Sequence, residues 1–331
     1  MIMKVIRVTS KAFHTTNIGE TVAHHYVIAG QPVVFESAVA SLKAYHIGTA
    51  SERFSELLLN FEEPALLNAS SAILAYHGVA PIDKKDRRVR FWRHGRCAQI
   101  DIDAVPACYI DFDENHIHLL GEFSYHDPMG LELVTGPALV LLLAELGTYS
   151  LHAGAVLTQI GSIAVIAESG AGKSTLCQSD GDDWRRLSDD VLPIDFAESM
   201  NWPDIHLDFP QLKLTNAAVD IVREGPVKLD YLLRLNPRPH ADIRFEELDK
   251  APSMLQIVRH TVAAKLFNKN QMRHHASFAK EISKVVPMLQ VHYPRDKSLL
   301  PKLRQEIVDA FVKLSDSSDT ASQALDITNR R

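Results

Sequence analysis

The segment Ala167–Glu168–Ser169–Gly170–Ala171–Gly172–Lys173–Ser174 constrains this chain more than any other. It follows the apolar run SIAVIAE (residues 162–168) and precedes TLCQ, which is compatible with a helix. Strand, glycine-rich loop, Gly–Lys–Ser and helix together match the phosphate-loop pattern, with Ala167 at the first glycine position. The residue types suit that chemistry. Gly170 and Gly172 let the backbone wrap closely and aim N–H groups at anionic oxygens. Lys173 can bridge terminal phosphates, and Ser174 offers a hydroxyl to Mg²⁺. Ser169, Ala171 and Thr175 complete the expected nucleotide-binding set. The short apolar run before the loop is of the kind found in a covered central strand, so the fold class expected is α/β.

Two further features lie close by. Downstream, Leu187–Ser188–Asp189–Asp190 places two carboxylates between short β-prone stretches. In a nucleotide fold such a pair sits at strand ends beside the loop. One carboxylate would hold Mg²⁺ and the other would accept a proton from an attacking hydroxyl. Alone, the pair reads as a solvated turn; the loop reverses that balance. Upstream, His152 stands in LHAGAV (residues 151–156). It could orient a phosphate or assist proton transfer, but on sequence alone a hydrogen-bonded core histidine is the better reading.

Composition narrows the partners. The 331 residues carry 35 Lys plus Arg against 41 Asp plus Glu, a net charge of −6, which disfavours wide nucleic-acid binding. Mean hydropathy is −0.07, no run of about 18 apolar residues stands out, and no membrane span is expected. Cys97, Cys108 and Cys177 are far apart and form no CxxC, which points away from zinc and disulfide scaffolds. Cys177 reads as a packed thiol. The N-terminus does not read as a signal peptide, so the expected compartment is the reducing cytoplasm. His24–His25, His116/His118 and His274–His275 lack partners at ligand spacing and are expected to be exposed or structural. Arg234, Arg238, Arg259 and Arg273 are candidates for contacting phosphate or an acceptor carboxylate, with a surface role the better reading of each.

Along the chain, residues 1–128 read as a mixed, β-rich domain, with strand-like runs at 24–36, 89–95 and 108–123 and a turn at Asp113–Asn115. Residues 51–63 read as a helix. A buried helix is expected from Gly136–Pro137 to Gly147. Residues 129–315 read as a second domain that becomes helical late. Helices are expected at 254–267, with Leu255, Val258, Val262 and Leu266 on one stripe, and at 278–287 and 299–314, with a strand at 286–294. Residues 316–331 read as a loose, polar tail.

His152 in LHAGAV, the loop AESGAGKST and LSDD, in that order, resemble the C-terminal catalytic domain of the HPr kinase/phosphorylase family. The resemblance covers about residues 136–194. It implies a P-loop kinase domain using ATP and Mg²⁺. Lys173 would contact the phosphates, Ser174 and Asp190 would serve the metal, Asp189 would be the base, and His152 would be the active-site histidine. It also implies self-association into a homo-oligomer. Residues 204–216, DIHLDFPQLKLTN, lack that family's glutamate and glycine-rich signature, which departs from HPr as the acceptor. The whole chain is similar to a divergent, natural-product-associated branch, including kinases that phosphorylate the C-terminal serine of lasso-peptide precursors. The function implied is phosphoryl transfer to a serine hydroxyl of a peptide or protein. HPr-type serine kinase, nucleotide-dependent switch or ATPase, and non-catalytic assembly protein are the alternatives.

Overall fold

Alternating apolar residues broken by tight turns build the first half of the chain as strands. The computed structural model describes residues 5–10, 23–50, 66–196, 201–210, 225–239 and 242–328. The helix expected at 51–63 lies outside them. The chain forms two compact units, one of residues 1–150, 208–212 and 262–274, the other of the remainder. The sequence expectation put the break near residue 128.

Among the described residues the first unit holds nine strands: β1 (Ile6–Ser10), β2 (Ala23–Ile28), β3 (Gln31–Phe35), β4 (His46–Ala50), β5 (Ile73–Ile82), β6 (Lys85–His94), β7 (Cys97–Ile102), β8 (Val105–Asp111) and β9 (His116–Leu119). They form one sheet in the order β4-β2-β3-β1-β9-β8-β7-β6-β5. Ala29–Gly30, Asp83–Lys84 and Asp103–Ala104 all take positive φ, the turn geometry whose twist matches paired strands. β8 and β9 pair across the expected turn, with Asp111 opposite His116.

Asp127 caps a helix at Pro128–Leu133 by accepting from the Gly130 N–H at 2.7 Å. This start lies upstream of the Gly136–Pro137 start expected from sequence. Pro137 instead sits in a wide turn, Val134–Ala138, because proline has no N–H for the helical ladder. The helix continues as Leu139–Glu145, with Leu139 to Leu143 buried, and Gly147 leaves it at φ +95°. The stretch Pro128–Glu145 has a mean hydropathy of 1.4 and by length and composition alone could cross a membrane. Of its residues, 67% are buried, as in a core helix.

A short strand, β10 (Tyr149–Leu151), leads into the second unit. There β11 (Ala153–Thr158), β12 (Gly161–Ala167) and β13 (Trp184–Ser188) are followed by β14 (Leu192–Phe196), β15 (Pro203–His206) and β16 (Pro226–Lys228), then β17 (Tyr231–Pro237), β18 (Arg244–Glu247) and β19 (Met288–Tyr293). The main sheet runs β13-β11-β12-β17-β19-β18. β17 is parallel to β12, and β19 to β17, whereas β11 is antiparallel to β12 and β13 to β11. The sheet is therefore mixed. β14, β15 and β16 form a smaller antiparallel ladder.

The helix Leu300–Thr328 lays Leu303, Ile307 and Phe311 on the main sheet beside Val165, Leu233 and Val291. It runs through much of the segment expected to be a loose tail. The helix expected at 254–267 runs instead over Lys250–Arg259, and Leu255 on the expected stripe is 64% exposed. The chain leaves the helix because Thr261 forms a β-bridge to Leu151, a pairing the local pattern does not encode.

Candidate functional site

Strand directions decide what meets at the loop. β13 and β12 are each antiparallel to β11, so they run the same way and end at the same sheet edge. β11 runs the other way and begins there. That edge therefore receives His152 before β11, the loop after β12 and Asp189–Asp190 after β13. It also receives Tyr293 at the end of β19.

The loop is shaped by its glycines. Gly170 and Gly172 have φ of +74° and +93°, where a side chain would be strained. The Ala171 N–H donates to the Glu168 carbonyl at 3.1 Å, and the Tyr293 hydroxyl donates to the Ala171 carbonyl. Ser169 and Ser174 face solvent, Thr175 is half-buried, and Lys173 is only 8% exposed. The helix after the loop is just Lys173–Leu176. So short a helix has little summed dipole. Beyond the helix, Trp184 Nε1 donates to the Leu176 carbonyl at 2.8 Å and Arg304 Nη2 to the Gln178 carbonyl at 2.6 Å. These two clamps fix the segment that follows the loop.

Packing explains LHAGAV. A Cβ on Gly154 would lie 2.6 Å from the Cys177 sulfur. Cys177 is fully buried, as expected, and burial pushes its thiol up to about 12. Asp189 pushes it the same way, while Lys173, Arg186 and Arg304 oppose. The Asp189 carboxylate and the Lys173 ammonium thus act on the same sulfur.

The acid pair is split by its partners. Asp190 Oδ1 lies 3.2 Å from His152 Nδ1. Asp189 Oδ1 is buried with no hydrogen-bond partner among the described residues. The His152 side chain is 43% exposed, not the core histidine that the sequence favoured. The His152 backbone N–H donates to the His260 carbonyl at 2.7 Å, which sets where β11 begins. His260 is buried, and desolvation pulls its imidazole down to about 4. Arg259 pairs with Glu168 of the loop at 2.9 Å. Arg234 donates to Gln290, while Arg238 and Arg273 are exposed and Arg273 belongs to the first unit.

The remaining histidine pairs are structural where they are buried. His116 and His118 share the Thr9 hydroxyl, and His275 Nε2 lies 2.8 Å from the Thr261 hydroxyl. Sequence reading missed Tyr293, Arg304 and His260. Tyr293 ends a strand that was legible, but its approach to the loop depends on β19 running parallel to β17.

No protein-family model and no curated protein matches the chain. Among solved structures, the Hpr(Ser) kinase/phosphatase from Coxiella burnetii is similar over 50% of this chain and 98% of its own, at 12% identity and a TM-score of 0.28.

Proposed function

We propose that the second unit binds ATP with Mg²⁺ and transfers the γ-phosphoryl group to a serine hydroxyl of a peptide or protein. One observation carries the reading: the buried, unpartnered Asp189 Oδ1 at the sheet edge that also receives the glycine-rich loop. A buried acceptor left open is costly unless a ligand completes it.

The residues fit the ligands. The loop's positive-φ glycines suit a backbone wrapped on phosphate oxygens. Among the described residues no group of three His, Cys, Asp or Glu side chains could cage a metal. That agrees with Mg²⁺, which keeps waters and takes few protein ligands, here Ser174 and Asp190. When bound, the ion would neutralise charge on the transferred group. Lys173 would hold the terminal phosphates. His152 would orient Asp190 through the 3.2 Å pairing. Asp189 would take the proton from the serine Oγ, since its Oδ1 has no competing donor.

The decisive experiment offers γ-labelled ATP, Mg²⁺ and serine-ended peptides, the acceptor class that the sequence resemblance implies. Label appearing on peptide supports the reading. Label appearing only as free phosphate makes water the acceptor. Lys173→Ala should weaken ATP binding by about tenfold to a hundredfold, the scale of a lost charged hydrogen bond. Unchanged calorimetric affinity would remove the loop from the account.

A further inference from the structure

The loop has a second wall that phosphoryl transfer does not use. A pocket of about 240 Å³ opens against Gly172 and Thr175. Ile243, Tyr293, Leu299 and Leu303 form its apolar walls. Arg295 and Lys297 also line it and are exposed, so they stand on the solvent side. We infer that this pocket holds the purine base of the nucleotide, an inference that rests on the nucleotide reading above.

Four observations converge. First, Thr175 directly follows Ser174, so a nucleotide with its phosphates in the loop has its nucleoside end within reach of this wall. Second, the volume is below the roughly 300–1,000 Å³ of pockets that take a whole ligand, so it suits one part of a larger molecule. Third, apolar walls with an aromatic ring, and charge only at the solvent side, match a planar heteroaromatic group with polar edges. A fused two-ring base fills such a space better than a single ring. Fourth, the walls are fixed in advance. The Tyr293 hydroxyl is tied to the Ala171 carbonyl. Asp296 accepts from the Ser298 N–H at 2.9 Å and its hydroxyl at 2.7 Å, which holds the turn Lys297–Leu299.

Sheet order gives the arrangement a direction. The pocket lies on the β19 side of β12, and Asp189–Asp190 follow β13 on the other side. Base, phosphates and acceptor would line up along one edge. The acceptor hydroxyl would enter from the β13 flank, without competing for the base pocket.

Calorimetry with ATP, CTP and inorganic tripolyphosphate tests this. The wild-type protein should bind ATP about tenfold or more tighter than tripolyphosphate, about 1.4 kcal/mol and within the range for stacking a base on an aromatic side chain. CTP should fall between them. Ile243→Trp, which fills the pocket, should bring ATP down to the tripolyphosphate affinity and leave tripolyphosphate unchanged. If that variant loses tripolyphosphate as well, Ile243→Ala decides, with ATP alone weakened several-fold. Equal wild-type affinity for ATP and tripolyphosphate, or an Ile243→Trp protein that still prefers ATP, would overturn the base pocket and leave the loop reading intact. CTP binding as tightly as ATP would overturn the purine assignment. Failure of the wild-type protein to bind either triphosphate would remove the loop reading, and this inference with it.

Discussion

Two aspartates, one in each unit, face burial in opposite ways. Asp101, in β7 of the first unit, accepts from Trp92 Nε1 at 2.8 Å and Gln99 Nε2 at 2.7 Å and forms an ion pair with Arg90 Nη2 at 2.9 Å. Gln99 in turn is held by the Leu67 backbone. Asp189, in the second unit, has an oxygen buried with no partner among the described residues. A carboxylate with partners on both oxygens fixes structure, because its loss would leave the buried Trp92 and Gln99 donors without their acceptor. An unsaturated one is held ready at a cost to stability, and that cost is a mark of function. The same side chain is thus saturated in one sheet and left with an open acceptor in the other.

The largest expected effect comes from Asp189→Asn. Phosphoryl transfer to peptide should fall at least about a hundredfold, the scale of a lost general base, with ATP binding retained and the folded state no less stable than the wild type. Near-normal transfer would break the comparison on the catalytic side. Asp101→Asn should do the reverse. It should cost about 1–3 kcal/mol in urea unfolding and leave transfer by the folded protein unchanged. A variant of full stability would show that the Asp101 network is not structural.

Gly154→Ala probes the packing behind the site. The new Cβ meets the Cys177 sulfur, so a loss of about 1–3 kcal/mol is expected. Cys177→Ala in the same chain should recover most of it, because the clash is with a single atom. A double variant no more stable than Gly154→Ala would place the strain elsewhere.

The smallest effect is a pH dependence in the first unit. Burial raises Glu36 to about 7, with only one oxygen satisfied: its Oε2 accepts from the Ser10 N–H and its Oε1 has no partner among the described residues. Its folded value exceeds the unfolded one, so its stabilising share is present below about 4.5 and is lost as pH rises through about 7. Burial lowers His116 to about 3, so its share is present above about 6.5 and is lost as pH falls toward 3. Glu36→Gln should therefore stabilise the protein at pH 8 by on the order of 1 kcal/mol relative to pH 5. Melting curves whose difference does not grow with pH would show that Glu36 is not buried as a neutral acid.

Much of this was legible in the sequence where the signal is local. The loop's glycines, the strand before it, the β8–β9 turn and the late strand at 286–294 follow from spacing and turn chemistry within a few residues. The helix at 254–267 was misplaced because its end depends on Thr261 pairing with Leu151, more than a hundred residues away in the chain. His152 was read as a core residue because its own segment is apolar; its exposure and its pairing with Asp190 depend on where β11 begins.

By itself, then, the sequence determined that residues 167–174 form a tight loop with a lysine and a hydroxyl at its end, because φ freedom and residue spacing are properties of a short stretch. Only the tertiary structure decided that β13 and β12 run the same way, so that Asp189, Asp190, His152 and Tyr293 come to the edge that carries the loop. Strand direction is set by hydrogen bonds between distant segments, and no local pattern contains it.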